Sequence, residues 1–359
     1  MPLLRMIAAV VALTAALPVG DARADDPYYK GKRLSVLINF APGSSADIEG
    51  RLFAKHLVKH IEGQPQLLMQ NIEGAGGITG AQYLGEIAPK DGTAIGYFTG
   101  QPWIYVTDPS RWRVDLKSFE FVATHGGTTV HFVRKDVKPG IKTPADILKA
   151  QDLVAGGITI DTAKDVRMRL VLDMLGVPYK YVTGYRSSAQ ARLAVQRNEL
   201  DVFSESPPSY RTMVEPQLVK TGLALPFAYD DLVDPPSLYK QLEGISVPSF
   251  PQLYKQVKGT MPSGPLWDIY SINLGLGALM LRVVALPPGA PKQAMDALRS
   301  AIEKLNDDKE FAAEALKTLE IVPDYVTAPD LSEKVRARVN ITDEQRKLMN
   351  DYMRNVPKR

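Results

Sequence analysis

The 359-residue sequence has no cysteine, no long apolar run and no excess of charge of one sign. Without cysteine, a disulfide framework, a zinc–thiolate centre and a cysteine nucleophile are excluded. The apolar stretch at residues 6–17 is shorter than the roughly 20 residues that a transmembrane helix needs, and no later stretch is longer. The sequence contains 43 basic and 40 acidic side chains. Because these charges nearly balance, we expect neither nucleic acid nor a charged membrane surface as a partner.

Residues 1–24 have the three parts of a secretory signal peptide. Arg5 supplies a positive start, residues 6–17 supply an apolar core, and residues 22–24 match the A-x-A cleavage signal. The sequence therefore predicts cleavage after Ala24 and export of the mature chain. A membrane anchor is the alternative, and the shortness of the apolar core disfavours it.

Short apolar runs alternate with amphipathic helical patterns along the rest of the chain, beginning with a strand pattern at residues 33–40 and a helix pattern at residues 47–60. This alternation predicts an α/β fold with mainly parallel sheets. We expect a first lobe over residues 25–125, a second lobe over residues 126–229, and a segment over residues 230–359 that returns to the first lobe. Such an arrangement leaves a ligand cleft between the two lobes.

The returning segment contains three kinds of pattern. A long connection rich in proline, serine and tyrosine comes first, over residues 230–265. The apolar residues 270–291 then predict a pair of buried strands, and the remainder of the chain predicts C-terminal helices.

Two strand-to-helix junctions are rich in small residues, FAPGSSAD at residues 40–47 and IEGAGGITG at residues 72–80. Neither has the G-x-G-x-x-G spacing of a dinucleotide site or the lysine of a phosphate loop, so no nucleotide is expected. Glycines let a ligand approach the main chain, and the free N–H groups of a helix N-terminus favour a carboxylate. One such loop is compatible with a plain turn. Two loops on neighbouring strands indicate a ligand site at the carboxyl edge of a sheet.

Several polar side chains have both a functional and a structural interpretation. Asp47 either contacts the ligand or caps the first helix. His56 and His60 have the i, i+4 spacing of metal ligands, but no carboxylate completes the set at ligand spacing, so a solvated helix face without metal is favoured. Ser44 and Ser45 have no nearby histidine to act as a base, and G-x-S-x-G does not occur, so a serine hydrolase has little support.

Aromatic and arginine side chains near the predicted cleft leave further alternatives open. Trp103, Tyr105 and Trp267 either line the cleft or pack in the core. Arg186, at a predicted helix start, either binds a ligand carboxylate in bidentate fashion or pairs with Glu205.

Four segments carry a family resemblance in the order RLSVLINFAPGSSADIEGRLFAKHL, NIEGAGGITGAQYLGEIAPKDGTAIGYFTG, YVTGYRSSAQARLAVQRNELDVFSESPPS and ALPPGAPKQAMDALRSAI. They resemble the extracytoplasmic solute-binding proteins of tripartite tricarboxylate transporters, the Bug receptors, over most of the mature chain. The resemblance implies a two-lobed, type II-like periplasmic-binding-protein fold that closes on its ligand. It also implies a periplasmic, non-catalytic monomer without cofactor, which delivers a di- or tricarboxylate or an aromatic acid to the membrane subunits of such a transporter.

The resemblance also implies which residues meet the ligand. In the first lobe they are Pro42, Gly43, Ser44, Ser45, Asp47, Gly74, Ala75, Gly76, Gly77, Thr99 and Gln101. In the second lobe they are Thr159, Thr162, Tyr185, Arg186, Ser187, Ser204 and Glu205. No catalytic residue and no metal ligand is expected. The sequence departs from the family at Ser44 and at residues 187–188, where glycine is usual, and in the connection over residues 230–267, which is longer than the family's. The tail after Asp330 matches poorly, and the identity of the carboxylate stays open.

Two other functions remain as alternatives. An exported α/β hydrolase-like enzyme would need a nucleophile and a base, which the sequence does not place together. A ligand sensor for a membrane kinase would share the binding chemistry and differ only in the protein that the closed form contacts.

Overall fold

The computed structural model describes residues 26–185, 187–231, 242 and 244–356. Within these residues the chain forms two five-stranded sheets covered by helices. The predicted α/β fold class is thereby confirmed. The predicted signal peptide and Arg186 lie outside the described residues.

The two sheets have related topologies. The strands within the described residues are β1 (Arg33–Ile38), β2 (Gln66–Asn71), β3 (Ala94–Thr99), β4 (Glu120–His125), β5 (Val130–Arg134), β6 (Leu153–Gly156), β7 (Tyr179–Val182), β8 (Val202–Glu205), β9 (Ala224–Tyr229) and β10 (Arg282–Leu286). The first sheet has the order β2-β1-β3-β10-β4 and the second the order β7-β6-β8-β5-β9. The chain therefore crosses from the first sheet to the second between β4 and β5, and returns between β9 and β10.

The strand that follows each crossing lies antiparallel between two neighbours. β5 is antiparallel to β8 and β9, and β10 is antiparallel to β3 and β4. The remaining pairings, of β1 with β2 and β3 and of β6 with β7 and β8, are parallel. In each sheet four of the five strands therefore run in the same direction and one is reversed, so the prediction of mainly parallel sheets is confirmed. The sequence did not indicate that β5 and β10 are the reversed strands, because their direction depends on a connection between the lobes and not on the local apolar pattern.

Helices occupy most of the connections between strands. They are α1 (Ser45–His60), α2 (Ile78–Glu86), α3 (Gln101–Thr107), α4 (Ala163–Leu175), α5 (Ser188–Gln196), the π-helical α6 (Tyr210–Val219), α7 (Phe250–Lys258), α8 (Pro265–Met280), α9 (Lys292–Asn306), α10 (Lys309–Leu319), α11 (Leu331–Val339) and α12 (Asp343–Arg354). None of the helices in the described part of the chain has the length and apolar character needed to cross a bilayer.

Residues 270–291 are not a pair of strands, because α8 occupies the first half of this stretch and only β10 follows it. α8 packs against α4 beside the second sheet and against α3, α11 and α12 beside the first. A helix covered on several sides is apolar around its circumference, and such a run cannot be told from a buried strand by its period. α8 therefore lies between the two lobes.

The hydrophobic core continues from one lobe to the other. One buried cluster contains Phe98 of β3, Val133 of β5, Leu170 of α4 and Leu274 of α8. A second cluster joins the first sheet to α1, α9 and α10, and a third joins the second sheet to α5 and α6. The first cluster therefore contains residues of both lobes and of α8, which lies between them.

Candidate functional site

Asn39 connects the loops that follow β1, β2 and β3. Its side chain is fully buried. It accepts a hydrogen bond from the Thr99 N–H (3.0 Å) and donates to the carbonyl oxygens of Thr99 (3.2 Å) and Gly77 (3.5 Å). Sequence reasoning did not single out Asn39, although a polar residue closing an apolar strand ahead of a glycine loop was the available signal.

The first loop ends in a tightly bonded helix start. Ser44 is the N-cap of α1, and its Oγ accepts from the Asp47 N–H at 3.2 Å. The buried Asp47 carboxylate accepts from the Gly43 N–H, Arg51 Nε and Asn71 Nδ2, each at 2.8 Å. Burial alone would raise the pKa of Asp47, but these three hydrogen bonds hold it below its usual value. Asp47 therefore shapes the loop, while Ser44 is the cap.

The second loop has a left-handed main chain over four successive residues. The φ angles of Gly74, Ala75, Gly76 and Gly77 are 129°, 50°, 71° and 94°. A Cβ at Gly77 would lie 2.3 Å from Asn39 Nδ2, so this position requires glycine. Residues 74–76 are exposed and carry no side chain larger than the Ala75 methyl group, and Arg111 Nη2 donates to the Ala75 carbonyl oxygen at 3.2 Å. A ligand can therefore approach the main chain of this loop directly.

Gln101 and Thr99 line the same edge of the first sheet. The fully buried Gln101 donates from Nε2 to the carbonyl oxygens of Thr99 (2.9 Å) and Gly76 (3.4 Å). Gln101 Oε1 and Thr99 Oγ1 are buried and have no hydrogen-bond partner among the described residues. An unpartnered buried polar atom lowers the stability of a protein by roughly 1–3 kcal/mol. A ligand group that hydrogen-bonded to either atom would therefore stabilise the complex.

The second lobe reaches the first through the loop before α4. Trp103 of α3 donates from Nε1 to the Asp161 carbonyl oxygen at 2.7 Å and is almost fully buried. In the same loop, Thr159 Oγ1 lies 2.6 Å from Thr162 Oγ1, and Thr162 is the N-cap of α4. The buried Tyr105 donates to Asp115 at 2.7 Å. Trp103 therefore packs between the lobes and Tyr105 within the first lobe.

The predicted residues around α5 have local roles in the structure. Ser187 caps α5, its Oγ accepting from the Gln190 N–H at 3.4 Å. Tyr185 is half-buried against the third apolar cluster, which joins the second sheet to α5 and α6. Trp267, the remaining aromatic candidate, stacks on Tyr270 with a centroid distance of 5.2 Å.

Glu205 lies among charged side chains at the end of β8. It is only 3% exposed and pairs with Arg192 of α5. Burial raises the pKa of Glu205 above its usual value, although Lys164 and Arg192 favour its charged form. Lys164 also contacts Asp165 Oδ1 at 2.5 Å. Sequence reasoning considered Arg186 for this pairing and missed Arg192, because the fold, and not the spacing in the chain, brings Arg192 to Glu205.

Ser204 belongs to a buried serine–histidine–aspartate arrangement. His131 Nδ1 lies 2.6 Å from Ser204 Oγ, and His131 Nε2 lies 3.0 Å from Asp230 Oδ1. All three side chains have no solvent exposure, and Asp230 also accepts from Arg167 Nε at 2.5 Å and from the Tyr270 hydroxyl at 3.0 Å. The three residues present no nucleophile to a substrate in this structure, and they join β5 and β8 to α4 and α8.

Comparisons with known proteins place the fold. No family model and no curated protein matches the sequence. Among solved structures, the periplasmic binding protein BugD has a TM-score of 0.61 and 18% identity, covering 92% of this chain and 100% of BugD. MatC from Rhodopseudomonas palustris with bound malate has a TM-score of 0.60 and 16% identity, covering 90% and 99%. A second R. palustris protein, with adipate, has a TM-score of 0.62 and 16% identity, covering 89% and 97%.

Each of these similarities extends over nearly the whole of both chains. At 16–18% identity, the similarity shows a shared fold. The resemblance seen in the sequence is confirmed at that level. The chain has the two-lobed α/β fold of periplasmic solute-binding proteins such as BugD.

Proposed function

We propose that this protein is a periplasmic receptor that binds an organic carboxylate between its lobes and delivers it to a tripartite tricarboxylate-type transporter. The observation that carries the proposal is the exposed, left-handed main chain of residues 74–76, held by Asn39 beside the N-terminus of α1. Solved structures of the same fold contain malate and adipate, which are both dicarboxylates.

The first lobe supplies hydrogen-bond donors without a formal charge. The N–H groups of Ser45 and Ala46 belong to the first turn of α1 and have no intrahelical acceptor. The 16-residue α1 also places the positive end of its dipole at this loop. A carboxylate can accept from these groups, from the adjacent main-chain N–H groups of residues 74–76 and from the unpaired Thr99 hydroxyl, while the unpaired Gln101 Oε1 can accept from a ligand hydroxyl.

The second lobe supplies charged side chains for the other end of the ligand. Lys164 and Arg192 are each 17% exposed beside the buried Glu205. A second carboxylate or a hydroxyl group of the ligand would bond here, together with Thr159 of the loop that contacts Trp103. A ligand that contacts both lobes stabilises the closed form relative to the open one, which is the basis of capture and release.

We call the proposed binding of a carboxylate by the main chain of residues 74–76 the main-chain grip. It is tested by placing a side chain on this loop. Among the described residues, a Cβ at Gly76 would have one atom within 4 Å, on the Ile104 side chain at 3.3 Å, so Gly76→Val obstructs the ligand with little disturbance of the packing. Gly222→Val is the matched control, because its φ of +80° is close to the +71° of Gly76 and it lies in open space.

The mature chain is screened by thermal shift with mono-, di- and tricarboxylates and aromatic acids, because a ligand of the native state raises Tm by mass action. We expect at least one acid to raise Tm of the wild type and of Gly222→Val but not of Gly76→Val. A wild-type response to none of the acids would refute the carboxylate proposal, and unchanged affinity in Gly76→Val would refute the main-chain grip. Uptake by proteoliposomes containing the membrane subunits then separates transport from a sensory role.

A further inference from the structure

The C-terminal half of α1, remote from the N-terminal loop of this helix, forms a second polar site with α10. His56 and His60 of α1 lie on the helix surface that meets Asp308, Glu310 and Glu314. His56 is only 2% exposed, so the prediction of a solvated helix face was wrong at this position. The acidic side chains follow about 250 positions later in the chain, which is why the sequence showed no carboxylate at ligand spacing.

His56 is oriented as a metal-ligating histidine. Its Nε2 lies 2.8 Å from Glu314 Oε2, so this nitrogen carries the hydrogen in the neutral ring. The Nδ1 lone pair then faces Lys59 Nζ at 3.4 Å and Asp308 Oδ2 at 3.8 Å. A carboxylate that receives the other N–H of a histidine is the usual outer partner of a metal ligand, because it fixes the tautomer and the ring orientation.

Asp308 is fixed in the same way. Its Oδ1 caps α10 by accepting from the N–H groups of Glu310 (2.7 Å) and Phe311 (3.1 Å). Its Oδ2 is directed to α1 and lies 2.8 Å from His60 Nε2. One ligand atom each from His56, Asp308 and Glu310 lies within 4.8 Å of the others.

The ammonium group of Lys59 occupies the position of a cation among these atoms. Lys59 Nζ lies 2.8 Å from Glu310 Oε2 and 3.4 Å from His56 Nδ1. The Lys59 side chain is 44% exposed, so it can leave without disturbing the core. We propose that His56, Asp308 and Glu310 form a binding site for a first-row divalent cation of the Zn²⁺ type, in which the ion replaces the Lys59 ammonium group.

The donor set determines the class of ion. One imidazole nitrogen with two carboxylate oxygens suits Zn²⁺, whereas Mg²⁺ prefers oxygen ligands alone. Three protein ligands leave a fourth position for water, or for His60 if Asp308 releases it. A bound ion links α1 to α10, and so stabilises the first lobe on the side away from the ligand loops.

Titration of the metal-free mature chain with ZnCl₂, followed by calorimetry and thermal shift, tests this site. We expect one ion per chain and a rise in Tm with Zn²⁺ but not with equal MgCl₂. Glu310→Gln removes a ligand from a largely exposed side chain, so it leaves folding intact and weakens Zn²⁺ binding at least tenfold. Lys59→Met removes the competing ammonium group and tightens binding at least threefold.

Lys317→Met is the matched control, because it removes one positive charge from an exposed position of α10. We expect its Zn²⁺ affinity to equal that of the wild type within a factor of two. The proposal is overturned if the wild type shows no Zn²⁺ binding, if Mg²⁺ acts equally, if Glu310→Gln binds as the wild type does, or if Lys59→Met and Lys317→Met have the same affinity.

Discussion

Each lobe contains a buried network of one carboxylate, one arginine, one histidine and tyrosine. In the first lobe, Glu49 accepts from Arg282 Nε (2.9 Å) and from the Tyr97 hydroxyl (2.6 Å), and His125 Nε2 lies 4.0 Å away. Burial opposes the charge of Glu49, yet Arg282 and His125 hold its pKa below the usual value. The four residues belong to α1, β3, β4 and β10, so this network lies within the first lobe.

In the second lobe, Asp230 is the buried carboxylate that corresponds to Glu49. Burial opposes its charge as well, and Arg167 and His131 hold its pKa far below the usual value. Arg167 of α4 also donates to Asn273 of α8 at 2.6 Å, and Tyr270 of α8 donates to Asp230. Because α8 packs against both lobes, this network couples the second sheet to the element between them.

The difference concerns what each network holds in place. A buried ion pair gives little net stability over an apolar alternative, but removal of one partner leaves the other charge uncompensated. The two networks therefore specify positions: the first fixes α1, whose N-terminus belongs to the proposed ligand site, and the second fixes α8 relative to the second sheet.

The largest effect is expected when the second network loses its carboxylate. Asp230→Asn leaves the buried Arg167 without a counter-charge and should lower the free energy of unfolding by about 3–5 kcal/mol, measured by urea denaturation. Hydrogen exchange should increase in α8 and β5. Glu49→Gln is the matched change in the first lobe, and its exchange should increase in β3 and β10. The same pattern of exchange in both variants would contradict the distinction between the two networks.

An intermediate effect is expected at residues 74–77, the second loop of the proposed ligand site. Gly77→Ala places a methyl group 2.3 Å from Asn39 Nδ2 at a φ of +94°, and such strain costs about 1–3 kcal/mol. Since Asn39 holds three loops together, we expect ligand affinity to fall at least tenfold in a calorimetric titration. Gly222→Ala has a similar φ without a clash. Its affinity should match the wild type, and an equal loss in both variants would show that strain alone is responsible.

The first network should also respond to pH between 5 and 7. Burial lowers the pKa of His125 below 6.5, so its contribution to stability is complete above pH 6.5 and is lost as the pH falls toward the lower folded-state value. The lowered pKa values of Glu49 and Asp230 make the free energy of unfolding depend on pH only below pH 4.5 and pH 3.8, the ordinary pKa values of these groups. Urea denaturation between pH 5 and pH 7 should show a weaker pH dependence in His125→Gln than in the wild type. Identical slopes would assign the dependence to other groups.

The smallest effect is expected at Ser204. Ser204→Ala removes one hydrogen bond to His131 and should lower the free energy of unfolding by about 1 kcal/mol. Ligand titration of the same sample shows whether Ser204 also bonds to the ligand. Hydrolysis of an ester panel by the wild type, lost in Ser204→Ala, would revive the enzymatic alternative.

In the first-lobe loops the sequence predicted a main chain that a ligand can approach, because glycine has no side chain. The structure agrees at residues 74–76, which are exposed and have positive φ. Asn39, Arg192 and Asp230 were missed because their roles depend on partners that lie between 13 and 99 positions away in the chain. Of the two interpretations of Asp47, the helix cap belongs to Ser44, three positions earlier, because Ser44 Oγ accepts from the Asp47 N–H while the Asp47 carboxylate accepts from the Gly43 N–H.

By itself, the sequence determined the alternation of strands and helices, the glycine-rich loops and the absence of thiol chemistry. These properties depend on periodicity, φ preferences and composition, which neighbouring residues carry. Only the tertiary structure decided that α8 is a helix between the lobes, that β5 and β10 run antiparallel, and which buried charges are partners. Those outcomes depend on contacts between distant segments, and the free energy of a buried charge is set by the group that packs against it.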